Sequence, residues 1–142
     1  MSTTIAPAIE KSVTVACRPE EAFDAFVGRV GSWWPVHRYS VFTMTGRAEP
    51  EQVMFEPFAG GRLYERLGDE ECTWAVVREC EEPSRLLLEW TLTPSEIEVT
   101  FASDGNGGTR VDLVHRGLDD DARGEYDGWE YVLECFAEAV EG

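Results

Sequence analysis

Basic side chains are scarce in this chain. Twelve Lys and Arg face 28 Asp and Glu over 142 residues, a formal net charge of −16, and Lys11 is the sole lysine. Nucleic acid binding needs a basic face for the phosphates, and an anionic membrane surface attracts basic clusters, so the composition argues against both partners. Long apolar runs are missing as well. Nothing approaches the roughly 18 apolar residues that span a bilayer. Met1 to Ala8 lacks the basic patch and apolar run of a secretory signal, which makes the cytoplasm the expected location. The four cysteines, Cys17, Cys72, Cys80 and Cys135, form no C-x-x-C pair, and neither histidine lies near one in sequence. No metal site follows from local spacing, and small, buried, reduced side chains are expected. Nucleophile elbows and phosphate-cradling loops are also lacking; Gly60-Gly61 and Gly105 to Gly108 read as turns. No cofactor is implied.

What is present reads as one α+β domain. Hydrophobic residues make up 43% and charged residues 28%, an ordinary globular balance. Ile9, Val13 and Val15 share one parity against Glu10, Ser12 and Thr14, which predicts a half-buried strand over Ile9 to Ala16. Pro19-Glu20-Glu21 then opens a helix, since proline suits the first turn and acids suit its dipole. Ala22, Phe23, Phe26, Val27 and Val30 give its apolar spacing, and Gly28 and Gly31 divide it into two short helices. Ser40 to Gly46 reads as a loop or short irregular strand. About six strands follow, separated by turn residues, with the strongest hairpin signal at Asp104-Gly105-Asn106-Gly107-Gly108. At the end the period changes. Tyr126, Trp129, Val132, Leu133, Phe136, Ala139 and Val140 recur at threes and fours, predicting one long helix from Asp121 to Val140, about 30 Å in length. Asp119, Asp120 and Asp121 would cap it. Consecutive strands with short turns make an antiparallel sheet, and the final helix is the element long enough to cover its apolar face. A curved sheet wrapped around that helix leaves room for a pocket.

Several ordered stretches resemble the START-like, birch-allergen-like superfamily, and within it the branch named after the activator of the heat-shock-protein-90 ATPase. They are Arg18-Pro19-Glu20-Glu21-Ala22-Phe23, Ser32-Trp33-Trp34-Pro35, Phe55-Glu56-Pro57 with Gly60 to Arg66, Glu82-Pro83-Ser84-Arg85-Leu86, Val111 to Gly117, and Gly128-Trp129 with Leu133. The resemblance implies a helix-grip fold with a hydrophobic cavity. It does not imply one activity, because such folds host many.

The candidate ligand-binding residues are Trp34, Tyr64, Glu65, Trp74, Trp90, Phe101, His115, Tyr126 and Trp129. His115 shares parity with Val111 and Leu113 and so faces the covered side, where a titratable ring could orient a ligand, act as acid or base, or simply pair with a carbonyl. Glu65 has the parity of Leu63 and Leu67; a carboxylate buried there needs a partner, from Arg62, Arg66 or a ligand. A shifted strand would turn Tyr64 inward instead. Trp33, Trp34, His37 and Tyr39 cluster around Pro35 and suit a pocket rim or a packed lid. Trp74, Trp90 and Phe101 face inward opposite Trp129, as core or as walls for an apolar guest, and the Tyr126 phenol could meet that guest.

Three functions remain open at this point. One is binding of a small hydrophobic or aromatic molecule. The second is an enzyme acting on such a molecule, with His115, Glu65 and Tyr126 converging in the cavity; catalytic residues are otherwise unassigned. The third is an interaction module for a chaperone ATPase, which the family name alone suggests. A homodimer is compatible with each.

Overall fold

A computed structural model describes residues 7–126 and 128–141. Most of the Met1 to Ala8 segment, and Asp127 within the expected final helix, lie outside the described residues.

The chain runs as β1 (Ile9–Val15), α1 (Pro19–Gly28), α2 (Val30–Trp33), α3 (Val41–Met44), β2 (Gln52–Phe55), β3 (Arg62–Leu67), β4 (Glu70–Glu81), β5 (Arg85–Trp90), β6 (Ser95–Ser103), β7 (Thr109–Arg116), α4 (Asp120–Glu125) and α5 (Trp129–Glu141). The strands form one curled antiparallel sheet in the order β1-β7-β6-β5-β4-β3-β2. It is the helix-grip α+β arrangement, with the short helices after the first strand. Six strands meander through short turns, and β1 returns to pair with β7, Val13 opposite Val111. At the β6–β7 turn Asp104 Oδ1 accepts from the Asn106 and Gly108 N–H groups at 2.7 and 3.0 Å, while Gly105 and Gly107 take the positive φ the turn requires.

Alternation fails at one informative place. Leu63 pairs with Ala75 and Tyr64 with Thr73, so Trp74 is an extra residue in β4. Such a bulge re-aims a side chain. Trp74 and Ala75 are consequently both buried.

The last helix departs from expectation. It is not one helix from Asp121 to Val140 but two, α4 and α5, and α5 is about 20 Å long at ~1.5 Å per residue. Asp119 caps α4 by accepting from the Ala122 N–H at 2.8 Å. Glycines at 124 and 128 make the break inexpensive. Two tyrosines hold it: Tyr126 is the α4 C-cap and hydrogen-bonds to β5, and the Tyr39 ring packs where a Gly128 side chain would begin. Segment 40–46 is also different. Val41–Met44 is a single helical turn rather than an irregular strand, because Ser40 Oγ and Glu65 Oε1 accept from Thr43 N and Phe42 N, two of the amides a helix start leaves unpaired. The four cysteines are half-buried rather than fully buried, and none is in a disulfide.

The α5 stripe of Trp129, Val132, Leu133 and Phe136 is buried against the concave face. The interior divides at the adjacent tryptophans. Trp33 ends α2 and packs with Phe26 and Phe136, ring centroids 5.2 Å apart in each pair. Trp34 leaves the helix with extended backbone (ψ 127) and packs on Trp74 and Trp129 at 5.0 and 6.0 Å. One half is filled with phenylalanine; the other is walled with tryptophan.

The Gly128–Tyr39 approach is testable. A Cβ at Gly128 would lie 2.3 Å from Tyr39 Oη. Gly128→Ala should cost about 1–2 kcal/mol in chemical denaturation, in the overpacking range. In a Tyr39→Ala background the same change should cost nothing; equal costs in both backgrounds would refute the contact.

Candidate functional site

A cavity of about 290 Å3 lies between the inner face of β4–β5 and the N-terminal half of α5. Trp74 and Trp90 form its sheet wall, and Trp129 and Val132 its helix wall. Trp34, Tyr39 and the α3 segment close one side; Glu125 and Tyr126 close the other. The walls are buried, while Met44 and Leu92 stand exposed at the rim, 70% and 41% accessible.

Four indoles form a closed circuit. Centroid separations are 5.0 Å from Trp34 to Trp74, 6.5 Å to Trp90, 5.8 Å to Trp129 and 6.0 Å back to Trp34. These are stacking and edge distances, within which aromatic pairs attract beyond their burial. Indole N–H groups lock three of the rings. Trp34 donates to the Tyr39 carbonyl at 2.7 Å, Trp90 to Tyr126 Oη at 2.9 Å, and Trp129 to His115 Nδ1 at 3.1 Å. Tyr126 in turn donates to Thr93 Oγ1 at 2.8 Å. The Trp74 Nε1 is buried without a partner.

His115 stands behind this wall and does not line the cavity. An indole nitrogen can only donate, so Nδ1 of His115 is the acceptor and the ring proton is on Nε2. Nε2 lies 2.8 Å from Ser95 Oγ, which donates to the Thr93 carbonyl at 2.6 Å. Both ring nitrogens are thus engaged. Burial lowers the imidazole pKa to about 4, because no charge is at hand to compensate the cationic form.

Glu65 is fully buried, as its parity requires, but neither Arg62 nor Arg66 pairs with it. Arg62 reaches Thr73 and Glu71, and Arg66 reaches Gln52. The Glu65 partner is the Phe42 amide, 3.0 Å from Oε1, while Oε2 has none. Glu65 therefore positions α3, which forms part of the cavity wall.

Of the nine candidates, Trp34, Trp74, Trp90, Tyr126 and Trp129 come together around the cavity. Four do not line it. Tyr64 faces the other side of the sheet, beneath the Arg62 guanidinium at 4.0 Å, because β3 keeps its alternation and turns Leu63 and Glu65 inward. Phe101 packs into the filled half against Phe23 and Phe26. His115 and Glu65 act from behind, on Trp129 and α3. Val132, Met44 and Leu92 line the cavity and were not candidates; the helical spacing of Val132 with Trp129 was the available signal. Among the described residues no cluster of His, Cys, Asp or Glu could hold a metal, and no helix is long and apolar enough to cross a membrane.

Two predictions follow from these bonds. A histidine held near pKa 4 in the fold, against ~6.5 when unfolded, favours the fold fully above pH 6.5 and loses that contribution as the pH falls toward 4. Unfolding free energy should drop by about 1 kcal/mol from about pH 7.5 to 5.5, and His115→Gln should remove most of that slope in denaturant titrations. Glu65→Ala leaves the Phe42 amide unpaired; it should cost about 1–3 kcal/mol and speed amide exchange across α3 before the sheet.

Residues 16–141 match the family described as activator of Hsp90 ATPase homolog 1-like proteins. No curated protein matches the chain. Among solved structures, the self-sacrificing resistance protein CalC from Micromonospora echinospora is 27% identical, with a TM-score of 0.70 and 94% of each chain covered. An Aha1 dimer from Colwellia psychrerythraea is 14% identical, TM-score 0.69, covering 96% of this chain and 97% of its own. An HSP90 activator from Plasmodium falciparum is 16% identical, TM-score 0.63, covering 95% and 96%. The match over 126 consecutive positions, on a curled seven-stranded sheet closed by a C-terminal helix, makes this chain a member of the activator of Hsp90 ATPase homolog 1-like family.

Proposed function

We propose that the protein binds a small, largely apolar or aromatic molecule in the tryptophan-walled cavity. The observation that carries the reading is the cavity itself: about 290 Å3 of space beside the circuit of Trp34, Trp74, Trp90 and Trp129. Sites that bury small molecules are concave and lined mostly by apolar and aromatic side chains with a few polar groups, as this one is. The volume is at the lower end of small-molecule sites, roughly 300–1,000 Å3, and suits a guest of one or two rings. Hydrogen bonds hold Trp34, Trp90 and Trp129 in place beforehand, so binding costs little ordering.

The enzymatic alternative has less support. It needs His115, Glu65 and Tyr126 at one point, yet His115 has no ring nitrogen to spare and Glu65 holds the Phe42 amide. An interaction with a chaperone ATPase, or a homodimer, draws support from the family and from structural relatives that include an Aha1 dimer and an HSP90 activator. Among the described residues no surface feature selects either.

Native mass spectrometry of protein purified from its own cells, followed by denaturing identification, tests the proposal. A stoichiometric small molecule is expected. Val132→Phe, which fills the helix wall of the cavity, should abolish it while thermal unfolding stays within a few degrees of wild type. An empty wild-type protein that no panel of one- and two-ring compounds stabilises against heat would overturn the reading.

A further inference from the structure

We propose that the guest is a cation: an apolar amine or quaternary ammonium whose charge lies against the indole faces, toward Glu125. This rests on the cavity being a binding site and names the chemistry it selects.

Three observations converge. The wall is π surface, with Trp34, Trp74, Trp90, Trp129 and Tyr126 bordering one space. Aromatic faces carry negative potential, strongest for tryptophan, and attract a cation that has shed its water. The charge among the lining residues has one sign: among the described residues Glu125 is the sole ionisable acid or base there besides the tyrosines. The bases on the adjoining segments are engaged elsewhere and do not line the cavity: Arg38 is held over the rings of Tyr39 and Tyr131 at 5.2 and 5.1 Å, Arg47 pairs with Glu70, and Arg123 donates to the Pro7 carbonyl. An anionic guest such as a fatty acid would thus place its charge against apolar walls with no counter-charge among them, and enter past a carboxylate of the same sign. The third observation is global. A net charge of −16 raises the local concentration of cations and repels anions over the whole approach.

The geometry also divides the roles. The buried indoles bind the apolar body and its charge, and the exposed Glu125 at the rim orients the cationic end without being desolvated. Exposed Met44 and Leu92 complete an apolar lip around the entrance.

An isosteric series tests this by calorimetry: benzyltrimethylammonium, its neutral isostere neopentylbenzene, and phenylacetate. The cation should bind about tenfold more tightly than neopentylbenzene, equivalent to ~1.4 kcal/mol, and phenylacetate should bind most weakly. Glu125→Gln should cut that ratio to about threefold, whereas Glu10→Gln, on the exposed face of β1, should leave it unchanged. If neopentylbenzene binds as tightly as the cation, or Glu10→Gln and Glu125→Gln act alike, the assignment of charge is wrong and the cavity remains a site for neutral molecules. If none of the three binds while native mass spectrometry or the compound panel finds a neutral guest, the assignment of charge fails and the binding function stands; if those find nothing either, both fail.

Discussion

A short helix has to cover a wide sheet. Seven strands at ~4.8 Å spacing span about 29 Å, whereas a helix with its side chains is about 10–12 Å across. A flat sheet would leave most of its apolar face in water. Curling the sheet around α5 solves part of the problem, and the helices between β1 and β2 solve part of the rest. What neither covers, between the N-terminal half of α5 and β4–β5, is walled by the largest side chains the chain has. The cavity is the remainder of this covering problem, and the break between α4 and α5 keeps it from being closed by a continuing helix.

Tryptophan is suited to such a wall only if its N–H is satisfied. The chain achieves this by local means. Trp33 and Trp34 donate to carbonyls a few residues away, Trp90 to a phenol, and Trp129 to an imidazole that must remain neutral to accept. His115 is therefore a structural base in the older sense: an acceptor on which an indole is hung. Its burial, which keeps it neutral, and its hydrogen bond, which needs it neutral, reinforce each other. Trp74 is the exception. The bulge that turns it inward leaves its N–H without an acceptor, a cost accepted for placing a fourth ring beside the cavity.

Strand parity and helical spacing made much of this legible in advance. The inward direction of His115, Glu65, Trp90 and Trp129 is contained in alternations of two and repeats of three and four, which depend only on backbone geometry. What escaped depends on contacts between distant segments. The α4–α5 break needs Tyr39, far away in sequence, to occupy the place beside Gly128. The turn of helix at Val41–Met44 needs a carboxylate from β3. Phe101 has the same inward parity as Ile97 and Val99, yet it lies in the filled half because position along a strand, not parity, decides which half a side chain reaches. Tyr64 was left to the register of its strand; β3 keeps its alternation, and the bulge in the facing strand turns Trp74 inward instead.

The central claim is that the space beside the four indoles is a site and not an incompletely packed core. A crystal structure of the protein taken from its own cells without refolding tests it most directly. The account predicts connected, non-protein electron density against Trp74, Trp90 and Trp129, on the side that faces α3 and the α4–α5 junction. Direct packing of Val41, Met44 and Leu92 onto Trp74 and Trp90, with no space left between them, would contradict it.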